Sequence, residues 1–251
     1  MSTTLRADDV SVSFEGLKAL TNVALAIAPG HVTGLIGPNG AGKTTLVNVL
    51  TGFQSPTTGR VLMDEGDITG RPAHVIRRLG IARTFQSGRL FSDLTVVDNL
   101  EVTAVALGLK RRAAFRLASD MLDWMGIGHL ADRIAGALPY TDERRVAIGR
   151  ALMMEPRFLL LDEPAAGMSH DEAMDLARLI RRIVDEMTCG VLLIEHNIGL
   201  VLEICDTIHV LDSGEIIEVG DSALIRSSER VRHAYMGTQG DVAQAVEEAI
   251  L

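Results

Sequence analysis

No apolar run in this chain approaches the ~18 residues of a membrane span. The N-terminal stretch Met1–Asp9 has no apolar signal core. Cysteine is scarce: Cys189 and Cys205 are the only two, and their spacing fits neither a metal site nor a disulfide framework. Both sit in apolar stretches and read as reduced core residues. Positive charge is also short. Lys and Arg number 24 against 33 Asp and Glu, a net charge of -9, which argues against a nucleic-acid surface. Internal repeats and low-complexity linkers are lacking. The expectation is a cytosolic chain that meets a membrane only through a partner. With 251 residues, 47% of them hydrophobic, a sizeable core in one large domain or two small ones is within reach.

The most specific stretch present is Gly37-Pro38-Asn39-Gly40-Ala41-Gly42-Lys43-Thr44-Thr45. It reads G-x-x-x-x-G-K-[ST], a phosphate-binding loop. Glycines let the backbone wrap close and turn its N–H groups inward towards an anion. Lys43 can reach the outer phosphates, and the Thr44 hydroxyl can ligate Mg²⁺. The flanks agree. His31–Ile36 is a short apolar run that predicts a buried strand. Leu46, Val49, Leu50 and Phe53 recur at helical spacing. Strand, loop and helix set a helix N-terminus, with its partial positive charge, against the phosphates.

The rest of the pattern is α/β. Strands are expected within Leu5–Ile27, broken at Phe14-Glu15-Gly16, then at Gly59–Met63 and Ile81–Phe85, with a short helix at Ala73–Arg78. From Leu94 the texture turns helical: Thr95–Leu109, Arg112–Met125 and about Asp142–Met154, the last stopping before Pro156. Alternation resumes with strand Phe158–Leu161, helix His170–Glu186, strand Gly190–Ile194 and helix Ile198–Cys205. A hairpin follows, Thr207–Leu211 and Glu215–Val219. This order predicts a mostly parallel sheet covered by helices, interrupted by an all-helical insertion. The boundaries read as 1–87, 88–156 for the insertion, 157–227, and a tail at 228–251. In the tail, Val242, Val246, Ala249 and Ile250 fall at helical spacing, as in a short surface helix or a frayed end.

Leu159-Leu160-Leu161-Asp162-Glu163-Pro164 is an apolar strand that ends in two carboxylates. Ligands of parallel sheets collect at the carboxyl ends of strands. Asp162 is therefore placed to hold Mg²⁺ and Glu163 to polarise an attacking water.

With both motifs present, the chain resembles the nucleotide-binding subunits of ABC transporters over nearly its full length. That resemblance implies an α/β P-loop NTPase cassette with a RecA-like core, an N-terminal antiparallel β subdomain and an inserted helical subdomain. It implies ATP and Mg²⁺ as cofactors. Phe14 falls where the family stacks an aromatic residue on adenine. Gln86 matches the glutamine that senses Mg²⁺ and the membrane subunit, and His196 matches the switch histidine at the γ-phosphate. Ala166-Gly167-Met168-Ser169 falls where a loop crosses to the partner subunit. Implied partners are a second nucleotide-binding subunit, transmembrane permease subunits and, indirectly, a substrate-binding protein, with the chain peripheral on the cytoplasmic side of the membrane. The stretches Arg83–Gln86, Arg89-Leu90-Phe91, Leu161–Met168, Ile194–Asn197 and Val231–Gly237 are similar to ATP-binding subunits of branched-chain amino-acid importers, although Asn197 stands where many relatives carry Asp. Cassettes of lipid or lipopolysaccharide exporters, soluble ABC ATPases and a regulatory module without turnover remain alternatives.

One segment departs from the family. Its L-S-G-G-Q signature aligns with Leu138-Pro139-Tyr140-Thr141-Asp142. Thr141 replaces the second glycine, whose backbone N–H would meet the γ-phosphate held by the other subunit, and its Cβ restricts that approach. Two readings of Thr141 stay open: an ordinary cap for the following helix, with Asp142 and Glu143 in its first turn, or a compensating phosphate contact by its hydroxyl. Ser87–Phe91 carries bulky residues and is expected to help form the groove for a permease helix.

Overall fold

The computed structural model describes residues 4–85 and 88–236. The element order is β1 (Leu5–Phe14), β2 (Leu17–Ile27), β3 (Val32–Ile36), α1 (Lys43–Leu50), β4 (Thr58–Met63), β5 (Gly66–Asp67), α2 (Ala73–Arg78), β6 (Ile81–Arg83), α3 (Val96–Ala106), α4 (Arg111–Trp124), α5 (Tyr140–Leu152), β7 (Phe158–Asp162), α6 (His170–Met187), β8 (Gly190–Ile194), α7 (Ile198–Ile204), β9 (Thr207–Asp212), β10 (Glu215–Gly220), α8 (Ser222–Ser227) and α9 (Glu229–Met236). Among the described residues, no helix is long and apolar enough to cross a membrane.

Two sheets result. The first is antiparallel, in the order β2-β1-β4-β5; the second runs β10-β9-β3-β8-β7-β6. In the second, β9, β3, β8, β7 and β6 are parallel, and β10 closes one edge antiparallel. All five residues of β3, β7 and β8 are buried, as unbroken apolar runs require in a sheet covered on both faces. Successive side chains alternate between two cores. Phe158, Leu160, Leu192 and Ile194 join the core shared with α1 and the antiparallel sheet. Leu159, Leu161, Val191 and Leu193 join the core shared with the helices on the other face. There α7 packs close: a Cβ on Gly34 would lie 2.9 Å from Cys205 Sγ. Both cysteines are free and buried, and burial pushes each thiol up to about 12.

The helical block α3–α5 hangs between β6 and β7. Thr95 caps α3, its hydroxyl accepting from the Asp98 N–H at 3.2 Å. Three sequence expectations are corrected here. Phe53 lies beyond α1, which stops at Leu50; Thr51 caps it, Gly52 turns with φ 72°, and Phe53 is 55% exposed. β6 ends at Arg83, two residues short of Phe85. Thr141 is not a cap, because α5 starts one residue earlier, with extended Pro139 at its N-cap. Proline's fixed φ and missing N–H suit a helix entry. Val231 and Tyr235 of α9 are buried in the helix-side core. Val242, Val246, Ala249 and Ile250 lie outside the described residues.

Candidate functional site

Four neighbouring parallel strands deliver the candidate residues to one sheet edge. β3 leads into the loop 37–42, β8 into Glu195 and His196, β7 into Asp162 and Glu163, and β6 into Thr84 and Phe85. Gln86 lies outside the described residues.

The loop after β3 is shaped by close backbone contact. Gly37 has φ 154°, and a Cβ there would sit 1.9 Å from the Leu211 carbonyl oxygen of β9. Gly42 has φ 108°, and a Cβ there would meet the Ala19 carbonyl oxygen of β2 at 2.6 Å. Only glycine fits either position. Gly42 is also the N-cap of α1 and offers no side chain to its first turn. The early N–H groups of α1 are therefore left for an outside acceptor, as at anion-binding helix N-termini. Pro38 is half-buried, Asn39 and Gly40 are exposed and Ala41 is buried. Lys43 is buried, and its Nζ lies back over the loop, donating to Gly37 O at 2.7 Å and Pro38 O at 2.9 Å. Burial lowers its pKa; the Glu163 and Asp162 carboxylates pull it up again. Thr44 is exposed and Thr45 half-buried in the first turn of α1. Phe14, 45% exposed, closes the β1–β2 turn opposite Leu17.

Asp162 ends β7 and is held by Arg83. Nη2 of Arg83 donates to Asp162 Oδ2 at 2.7 Å and Nη1 to Asn48 Oδ1 of α1 at 2.6 Å. The guanidinium and the carboxylate are 7% and 10% exposed. No partner among the described residues occupies Asp162 Oδ1. The hydroxyl of Thr44 and the carboxylate of Asp162 are hard oxygen donors of the kind Mg²⁺ takes alongside phosphate oxygens. No cluster of three or more His, Cys, Asp and Glu among the described residues could hold a metal alone.

Glu163 has φ 49°, a left-handed conformation uncommon for a residue with a side chain. Its N–H donates to Ile194 O at 2.9 Å. His196 Nε2 lies 2.6 Å from Glu163 Oε1, so the tautomer protonated at Nε2 donates to the carboxylate. Carboxylate and imidazole are thus paired at the strand ends.

Three residues here carry weight that motif reading missed. Arg83 fell inside the expected strand Ile81–Phe85 and in the stretch Arg83–Gln86, with no role read for it. Glu195 repeats the pattern of Asp162, an acid directly after Val191–Ile194. It is 2% exposed and bonds to backbone N–H groups. Tyr235 reaches across from α9 to the Gly37 backbone; burial raises its pKa.

The signature segment lies at the N-terminus of α5. Pro139 offers no side-chain cap. The Thr141 hydroxyl lies near the Glu172 carboxylate, whose pKa is lowered first by its bonds to the Ser169 backbone and hydroxyl. Asp142 and Glu143 occupy the first turn. On the other side of α5 a groove of ≈ 460 Å³ opens between the sheet edge and the helical block. Its lining includes Phe53, Arg83, Phe85, Phe91, Val102 and Arg150. Phe91 is 51% exposed, while Leu90 is partly buried against the core. α5 holds this wall by its arginines: Arg144 donates to Phe85 O at 2.9 Å, and Arg150 to Arg89 O at 2.6 Å and Gly88 O at 2.9 Å.

The model of the family described as ABC transporter matches residues 20–166. Among curated proteins, the high-affinity branched-chain amino acid transport ATP-binding protein BraF of Pseudomonas aeruginosa is 41% identical over 248 residues, covering 93% of this chain and 97% of its own. The lipopolysaccharide export system ATP-binding protein LptB of Escherichia coli is 33% identical over 235 residues, with the same coverage. Among solved structures, the ADP conformation of MJ1267, an ATP-binding cassette of an ABC transporter, superposes with a TM-score of 0.86 at 32% identity. That match covers 95% of this chain and 100% of MJ1267.

Proposed function

The chain belongs to the ABC transporter family of ATP-binding cassettes, and on that premise we propose that it powers an importer of branched-chain or other hydrophobic amino acids. The cargo rests on the 41% identity to BraF. The 33% identity to LptB keeps lipopolysaccharide export as the second reading.

In this reading ATP binds over the loop 37–45, with Phe14 on the adenine, Lys43 and the loop amides on the phosphates, and Gln86 near the metal. Thr44 and Asp162 hold Mg²⁺, which neutralises phosphate charge when bound. Glu163 takes a proton from the attacking water. His196, bonded to Glu163, keeps that base and the γ-phosphate in register. The observation that carries this reading is the 2.6 Å pairing of Glu163 and His196 at the strand ends beside Asp162. It also speaks against a module without turnover.

The partners follow from the same premise. A second cassette closes over the nucleotide, and permease subunits engage the groove beside Phe91 from the cytoplasmic face of the membrane. The signature of this chain is poorly suited to serve that second cassette's γ-phosphate. Thr141 carries a Cβ, the Glu172 carboxylate stands near its hydroxyl, and Asp142 adds negative charge where an anion would arrive. An unlike partner with an intact signature is therefore the better match.

The deciding experiment is Glu163→Gln in the complex purified with its permease. MgATP binding should persist while turnover falls about 10²–10⁴-fold, the usual range for a lost general base. Lys43→Ala should weaken nucleotide binding itself. Parental turnover by Glu163→Gln would remove Glu163 from the role assigned to it.

A further inference from the structure

We propose that Glu195 is a positioning residue for hydrolysis: its carboxylate ties the segment after Glu163 to the segment that carries His196, and so sets the geometry of that pair. The proposal rests on the hydrolytic reading of Glu163 and His196.

Glu195 follows β8 and is 2% exposed. Its two oxygens do different work. Oε1 accepts the Ala165 N–H at 2.6 Å. Oε2 accepts the His196 N–H at 3.1 Å and, at 3.5 Å, the Asn197 N–H. Only Pro164 separates Ala165 from Glu163, and its ring fixes φ, so the Ala165 amide moves nearly rigidly with Glu163. A closed ring of four contacts results. Glu163 N–H reaches Ile194 O at 2.9 Å, Glu195 reaches Ala165 and then His196, and His196 Nε2 returns to Glu163 Oε1 at 2.6 Å.

Packing alone does not explain a carboxylate at this position. No Lys or Arg among the described residues pairs with it, and burial pushes its pKa up, against the pull of three backbone N–H groups. An unpaired buried acid is expensive, and an apolar side chain would fill the same space more cheaply. Nor is Glu195 a base itself: it is closed to solvent, and both oxygens are spent on amides. What only a two-oxygen acceptor supplies here is the bridge between two strand-end segments. Through Ala165 the bridge also reaches the turn 165–168, where Met168 N–H meets Ala165 O at 3.1 Å. A shift of that turn would be felt at His196.

The test uses Glu195→Gln, which is isosteric but sets an NH₂ against a backbone N–H, and Glu195→Asp, which keeps the charge but is one methylene short of spanning both amides. In the permease-bound complex, kcat should fall about ten- to a hundred-fold, with KM for ATP changed less than about two-fold. In a His196→Ala background Glu195→Gln should add less than about two-fold, because the two residues act as one unit. In the nucleotide-free full chain, hydrogen exchange at the Ala165 and His196 amides should quicken more than about ten-fold, with Leu46 unchanged. The exchange result stands even if hydrolysis is assigned to other residues, so the two readings can fail separately. Unchanged exchange, losses that multiply in the His196→Ala background, a rise in KM with kcat retained, or unfolding of both variants would each overturn the proposal.

Discussion

Replacing Thr141 by glycine should raise the ATPase rate, by an amount that depends on the partner. α5 begins at Tyr140 with no side-chain cap, so its first N–H groups are available to an outside anion. What stands in the way is the Thr141 side chain, whose Cβ sits at the point of approach. Thr141→Gly removes it. A regained hydrogen bond from a backbone N–H to a charged phosphate contributes about 1.5–3 kcal/mol, or roughly ten- to a hundred-fold in rate if confined to the transition state. Glycine costs up to about 1 kcal/mol of helix propensity, and the Asp142 carboxylate remains in the first turn. The gain should thus fall near ten-fold, rising further with Asp142→Gln added. That applies to a pair of identical subunits, in which both sites use this signature. Beside an unlike subunit with a normal signature, the site on this chain's own loop already turns over, and the gain should stay below about two-fold. Steady-state turnover at saturating MgATP, in both assemblies and with melting curves for each, is the assay. No gain in either assembly, with the fold intact, would refute the argument from the Cβ.

Phe91→Asp should lose the permease in co-purification while circular dichroism stays native, because the ring is 51% exposed on the groove wall; global unfolding would mean it is a core residue. Arg83→Met strands Asp162 as an unpaired buried charge. It should cost about 3–5 kcal/mol and lower Tm by roughly 6–20 °C in a chain of this size; a shift under about 2 °C would show that the pair contributes little. Burial lowers the pKa of His209 to about 4, with its Nδ1 unpartnered. The unfolded chain, near 6.5, binds that proton first, so this residue's contribution is whole above about pH 6.5 and is lost as pH falls towards 4. Chemical denaturation should find about 2 kcal/mol less stability at pH 5 than at pH 7 from His209 alone, and His209→Leu should remove that slope.

The phosphate loop, the Asp162-Glu163 pair and His196 were legible because each is written in a short string at a strand's carboxyl end. A local pattern needs only its own flanks to be read. Arg83 and Glu195 were not, because their partners lie 79 and 30 residues away. What makes each of them matter is the register of β6 on β7 and of β7 on β8, which no single segment records. Helix ends misled for a different reason. Phe53 keeps the spacing of α1, yet Gly52 has already turned the chain. Thr141 has the chemistry of a cap, yet the proline two residues earlier fixes the entry. The alternation of apolar runs was enough for the parallel sheet, since runs such as Phe158–Leu161 can be satisfied only by cover on both faces.

The contacts around Gly37 also order events in time. This glycine is wedged against Leu211 of β9 and approached by Tyr235 of α9, while β3 beneath it needs β8 and β9 on its two sides. All of these are synthesised long after the loop. At ~5–20 residues per second, the nearly 200 residues from the loop to Tyr235 take on the order of 10–40 s to emerge. During that interval the loop is a flexible glycine-rich segment without walls. A nascent chain halted before β9 should therefore fail to retain nucleotide, and affinity should arrive as a late step of biosynthesis.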